Sequence, residues 1–136
     1  MDDGLTWLRL PAELSSLARF TTFAREGARA AGLPDASVAK LDLVLEEVLT
    51  NVFRYAYATE PGDAAVGYAI AEGCLRIDVR DNGREFNPLD RQPPDLDVPL
   101  ADRRVGGLGI FLIHGMAESL AYRRHNGQNV LSIRIR

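Results

Sequence analysis

The sequence predicts an α/β domain, a two-layer sandwich in which a mixed, mostly antiparallel sheet carries about three helices on one face. Three observations predict it. Residues 41–57 (LDLVLEEVLTNVFRYAY) place Leu41, Val44, Leu45, Val48, Val52 and Tyr55 at three- and four-residue spacing, the period of one long helix with a wide apolar face. Val66, Tyr68 and Ile70, then Leu75, Ile77 and Val79, alternate with small or polar residues about a Glu72-Gly73 turn, the period of a strand hairpin. The element order is strand, two helices, two strands, helix, two strands, which suits helices gathered on one face of a sheet.

The elements follow in order. Residues 5–10 read as a short strand anchored by Trp7, and Pro11 suits a first helical position. The first helix then runs to about Ala31, with Leu14, Leu17, Ala24 and Ala28 on one face. Gly32 ends it and Pro34 follows, as expected after a helix C-terminus. Asp35 or Ser37 can cap the long helix. Pro61-Gly62 marks a turn over residues 59–63. In the next hairpin, Arg76, Asp78 and Arg80 give the second strand one wet face, and it runs straight into Asp81-Asn82-Gly83. Residues 87–104 have no periodicity and carry Pro88, Pro93, Pro94 and Pro99. A loop this long in a compact domain is usually functional or mobile. Val105-Gly106-Gly107-Leu108-Gly109 opens a third helix through Phe111, Leu112, Met116 and Leu120. A closing hairpin turns at Asn126-Gly127, with Leu131, Ile133 and Ile135 alternating with Ser132, Arg134 and Arg136.

Composition bounds the function. At 136 residues, with no repeat and no linker, the chain reads as one domain spanning residues 1–136, and 46% hydrophobic content supplies a core. A net charge of −3 argues against wholesale nucleic-acid coating. Basic charge is fifteen arginines and one lysine, Lys40. The single cysteine, Cys74, excludes an internal disulfide and fits a reducing cytosol. Asp2 and Asp3 stand where a secretory signal would be basic, and no apolar run nears the roughly 20 residues that span a bilayer. A cytoplasmic protein with no membrane contact is expected.

Three polar clusters could share one nucleotide. Glu47 and Asn51 lie four apart, stacked one turn above the other at the edge of the apolar face. The Asn51 carboxamide oxygen suits Mg²⁺, and Glu47 is placed to deprotonate an attacking hydroxyl or water. Asp81, at a strand end, can accept a hydrogen bond from an adenine amino group, with Gly83 allowing close backbone approach. Gly106 to Gly109, opening a helix, offer backbone N–H groups to phosphates, with Arg103 and Arg104 beside them. A P-loop is excluded, because Lys40 has no glycine run before it. Each cluster has a bland counterpart: a surface i, i+4 pair, a turn after a strand, a flexible connection. His114 and His125 are not spaced for a metal site, and Cys74 has no activating neighbour in sequence. Arg134 and Arg136 read as a wet strand face before a binding patch.

Taken together, Glu47-x-x-x-Asn51, then Asp81-Asn82-Gly83-Arg84-Glu85-Phe86-Asn87-Pro88, then Gly106-Gly107-Leu108-Gly109 resemble the GHKL ATPase superfamily. The chain length and the closing Asn126-Gly127-Gln128-Asn129 segment resemble its anti-sigma-factor serine/threonine kinases. The resemblance implies a Bergerat-type sandwich that uses ATP with Mg²⁺. It implies phosphorylation of a serine or threonine on a small anti-sigma-factor antagonist, and binding of a sigma factor. By position, Asn51 would hold Mg²⁺ and Glu47 would be the catalytic base. Asp81 would read adenine, Gly83, Gly106, Gly107, Leu108, Gly109 and Arg104 would line the nucleotide, and residues 87–104 would form a lid. Relatives of this kind often pair as homodimers, for which the first strand and helix are the candidate contact. Two positions depart from the superfamily pattern: Glu85 stands where a second glycine is usual, and Tyr55 where some relatives carry histidine. A nucleotide-binding anti-sigma or adaptor module without phosphotransfer is the alternative. A sensor histidine kinase fragment fails, since no histidine precedes His114.

Overall fold

The computed structural model describes residues 4–57, 61–71, 73–89 and 114–136. Strand β1 (Thr6–Pro11) leads through a 3₁₀ turn (Leu14–Ser16) to α1 (Leu17–Ala30) and then α2 (Asp35–Asn51), which continues into a π-helical turn (Val52–Ala56). Strands β2 (Asp63–Ala71), β3 (Cys74–Asp81), β4 (Ser119–His125) and β5 (Gln128–Ile135) complete the sheet. Its order is β1-β2-β3-β5-β4 and every neighbouring pair is antiparallel. The expected parallel component is therefore absent among the described strands. Two tight hairpins, β2–β3 and β4–β5, enforce antiparallel pairing locally, and β5 rather than β4 docks on β3, continuing its apolar stripe.

Two α-helices are described, not three. The expected third begins among residues outside the described set, and Leu120, assigned to its far end, lies in β4 beside Ile133. The first helix also starts later than expected. Pro11 ends β1 and a 3₁₀ turn intervenes, so α1 opens at Leu17. The long helix opens earlier, at Asp35, with Pro34 in the cap position. Ser37 does not cap it: the hydroxyl donates to the Arg136 carbonyl instead, at 2.8 Å. The end of α1 is as read, with the Gly32 N–H donating to Arg29 and that of Leu33 to Ala28.

The core lies between the helices and one sheet face. Leu41, Val44, Leu45 and Val48 of α2 are wholly buried in the same cluster as Leu75 and Ile77 of β3 and Ile133 and Ile135 of β5. Each such side chain contributes about 1.5–3 kcal/mol by leaving water. A paired Arg25 and Asp42, at 3.1–3.3 Å, tie α1 to α2. They are half-exposed and add little. The role of α2 is thus fixed by packing. Its apolar ridge is clamped to the sheet, which fixes the residues along the ridge's edge.

Candidate active site

The edge of that ridge carries Glu47 and Asn51. Asn51, the last residue of α2, is buried, and its Nδ2 donates to the Glu47 carbonyl at 2.8 Å and to Glu47 Oε1 at 3.1 Å. The stacking read from the four-residue spacing is therefore a direct contact. It also orients the carboxamide: with the amide nitrogen given to two acceptors, Oδ1 is the atom left to meet a ligand.

Immediately beyond Asn51 the helix widens into the π-helical turn. Such turns are rare and recur at functional sites, because they displace the carbonyls from the usual ladder. Here the displaced carbonyls are used. Tyr55 O accepts from Arg84 Nε at 2.6 Å, and Ala56 O accepts from the Arg84 N–H at 3.1 Å. The Tyr55 and Phe86 rings meet with centroids 5.6 Å apart. The turn after β3 is thus docked on the end of the helix that carries Glu47 and Asn51. This contact explains Gly83 without any ligand. A Cβ there would stand 2.4 Å from Ala56 O, so any side chain would push the turn off the helix.

Asp81 ends β3 and is 3% exposed. Its Oδ1 accepts from the Gly83 N–H and from Asn129 Nδ2, both at 2.9 Å. Asn129 lies directly across the β3–β5 ladder from Asp81. Both ends of the Asn129 carboxamide are used. Nδ2 also donates to Arg84 O at 2.7 Å, while Oδ1 accepts from Tyr122 Oη at 2.6 Å, the Phe86 N–H at 3.1 Å and Arg124 Nη1 at 3.1 Å. Arg124 Nη1 also donates to Gly83 O at 2.9 Å. Asn129, Tyr122 and Arg124 have no assigned role in the sequence reading. The β4–β5 hairpin is legible there, but the neighbour of β5 is not, and only the β3–β5 pairing brings Asn129 to Asp81.

Burial sets the electrostatics. It raises the Asp81 carboxyl above its ordinary 3.8, and the hydrogen bonds from Asn129 and Gly83 and the Arg124 charge oppose it without winning. The folded chain therefore holds this proton more tightly than the unfolded chain. Stability from this group is fullest below the unfolded value and falls as pH rises through the raised folded one. Ionised Asp81 is therefore a standing cost at neutral pH, offset in part by its two donors and the Arg124 charge. Burial likewise raises the Tyr122 phenol above 10.0, with Glu85 adding to it, so this hydroxyl stays a donor to Asn129.

Of the predicted site residues, Glu47, Asn51, Asp81 and Gly83 come together through the contacts above. Arg104, Gly106, Gly107, Leu108 and Gly109 lie outside the described residues, as do Arg103 and most of the segment expected to act as a lid. Among the described residues no three His, Cys, Asp or Glu side chains gather as a metal site.

An antiparallel sheet backed by two helices, with a strand-end acid held against the helix that carries a Glu-Asn pair, defines a GHKL-type α/β sandwich. The chain belongs to the histidine kinase-like ATPase domain family, which matches residues 10–135, within the branch of the anti-sigma-factor kinases. It is similar to the serine-protein kinase RsbW of Listeria monocytogenes serovar 1/2a, 32% identical over 138 residues that cover 96% of this chain and 86% of that protein. The RsbW proteins of Listeria innocua serovar 6a and Staphylococcus aureus strain JH9 are 31% and 29% identical, over 96% and 90% of this chain and 86% and 81% of theirs. No described helix is long and apolar enough to cross a membrane.

Proposed function

We propose that this protein is an ATP- and Mg²⁺-dependent serine/threonine protein kinase that phosphorylates a small anti-sigma-factor antagonist and also binds a sigma factor. The observation that carries the reading is the Glu47–Asn51 contact, which pairs a carboxylate with an oriented carboxamide beside the docked Asp81 turn. Under this reading Asp81 accepts from the adenine amino group. Its Oδ1 already takes two protein donors, so Oδ2 faces the base. Asn51 Oδ1 would hold Mg²⁺, a hard cation that binds through few side chains and the nucleotide's own phosphates. When bound, the ion supplies charge neutralisation on the β- and γ-phosphates. Glu47 takes the proton from the serine or threonine hydroxyl. That oxygen forms the new bond to the γ-phosphorus as the bond to the β-phosphate oxygen breaks and ADP leaves. Positioning and electrostatics do the rest.

The names of the relatives support kinase chemistry, and the Glu47 geometry supports it over nucleotide binding alone. The separating experiment incubates the protein with γ-labelled ATP, Mg²⁺ and candidate antagonist proteins. Label on an antagonist hydroxyl, absent when EDTA is present from the start, is the expected result. ATP binding with no label transferred to any antagonist would replace the kinase by the nucleotide-binding anti-sigma module.

A pH dependence also follows. With Oδ1 held by two protein donors, a proton on Asp81 sits on Oδ2 and turns the atom left for the base from acceptor into donor, and burial raises this carboxyl above 3.8. Adenine nucleotide affinity should therefore fall on acidification from a higher pH than an ordinary aspartate would allow, with protons released on binding. Calorimetry from neutral pH downward, with Asp81→Asn to remove the nucleotide's own titration, measures it. A profile identical in the two proteins would detach Asp81 from the base.

A further inference from the structure

The sheet face turned away from the helices carries an arrangement that nucleotide chemistry does not use. Register places Arg9, Arg80 and Arg123 in one row across the sheet, separated by Ala65 and Val130. A parallel row sets Arg76 directly opposite Arg134. Like charges directly opposite on neighbouring strands are destabilising, so this row is held at a cost. Between the rows runs a floor of small residues, Gly67, Ser132 and Ala121, with Trp7 at one end and Asp78 at the centre. The Trp7 ring lies so close over Gly67 that a Cβ there would stand 2.7 Å from it. Asp78 is wholly buried. It takes Arg76 in a two-point pair at 3.0 and 3.2 Å and draws Arg80 to 3.8 Å from the other side. The Arg80 guanidinium also stacks 4.5 Å from the Trp7 ring centre. The central carboxylate is thus already engaged, and it braces one arginine of each row. Arg9, Arg123 and Arg134 remain exposed. At the sheet corners, Glu118 meets Arg136 and Asp63 begins β2.

From this we infer that the open sheet face is a docking trough for an acidic amphipathic helix of a partner protein. Charge complementarity selects the occupant. Among the described residues of the two rows and the floor between them, five guanidiniums face one engaged carboxylate, on a chain whose net charge is −3, and form a local field of the opposite sign to the whole. The dimensions agree. Rows four residues apart along the strands stand about 13 Å from each other, and five strands span about 19 Å. A helix about 10–12 Å across and about 13 residues long fills that space, with carboxylates on both flanks. A second copy laid face to face would set five guanidiniums against five more in one interface. A nucleic acid would meet the acidic field of the whole chain.

The test titrates the full-length, isotope-labelled protein with a 14-residue helical peptide bearing glutamates on both flanks and alanine and leucine beneath. Controls are the same peptide with glutamine for glutamate and a single-stranded oligonucleotide of equal charge. Amide shifts should fall on Gly67, Asp78, Ala121 and Ser132, and R123E/R134E should weaken binding about tenfold or more. Both substituted side chains are exposed and lie outside the nucleotide site, so ATP affinity should hold. Arg134→Glu faces Arg76, so the thermal midpoint should not fall. Shifts elsewhere, equal binding of the glutamine peptide, or tighter binding of the oligonucleotide would overturn the inference. So would a dimer in sedimentation that R123E/R134E dissolves, since the face would then belong to a second copy.

Discussion

Replacing Glu47 by glutamine should lower phosphoryl transfer by about 10²–10⁴-fold while leaving ATP affinity within a few-fold. Glutamine keeps an oxygen where Glu47 Oε1 now accepts from Asn51 Nδ2 at 3.1 Å, so the Asn51 carboxamide stays oriented. What is lost is the capacity to take a proton. Glu47→Ala is the harsher comparison, because it removes that acceptor and leaves only the Glu47 carbonyl, at 2.8 Å, to hold the amide. If Glu47 acts only by orienting Asn51, the alanine variant should lose Mg²⁺-dependent ATP affinity and the glutamine variant should transfer phosphate normally. If it is the base, the glutamine variant binds and does not transfer. Single-turnover transfer to an antagonist, measured beside equilibrium ATP binding, separates the two, and a glutamine variant of undiminished rate would end the assignment.

That pair was legible because helix periodicity is a local property. Val48 fixes the buried ridge of α2 and Val52 continues it into the π-helical turn, so two residues four apart at its border are neighbours. Asp81 was legible for a related reason: an alternating strand that ends in Asp-Asn-Gly places its last acid at a sheet end. The boundary errors have local physical causes as well. The type and position of Ser37 predict a cap, yet its hydroxyl reaches the Arg136 carbonyl, 99 residues away in sequence. The π-helical turn after Asn51 was hidden, since Val52, Tyr55 and Ala56 fit an unbroken α-helix equally well. It forms where Arg84, from another element, captures two carbonyls. Strand alternation predicts a solvated Asp78. It is buried because Arg76 and Arg80 fold over it, a contact between same-face neighbours that a period-two pattern counts only as polar.

The largest stability effect should come from Asn129, for which sequence offered no role. Asn129→Leu keeps the side-chain bulk and strips every polar contact. Asp81 loses one of two donors, Arg84 O loses Nδ2, and Tyr122, Arg124 and the Phe86 N–H lose a shared acceptor. Exposed members of the cluster can turn to water, but Asp81 cannot, so the loss should be about 3–5 kcal/mol in denaturant unfolding, with ATP affinity falling alongside. Asn129→Asp tests the electrostatic part separately. It preserves shape and sets a second carboxylate where Nδ2 now donates to Asp81 at 2.9 Å, so the two acids must share a proton. The pair's raised folded titration means that this variant should be weakest at neutral pH and recover as pH falls, more steeply than the leucine variant, which has only the Asp81 carboxyl to protonate. A leucine variant within about 1 kcal/mol of the parent would show that the Asp81 turn is held on α2 by the Arg84 contacts alone, with Asn129 a bystander to them.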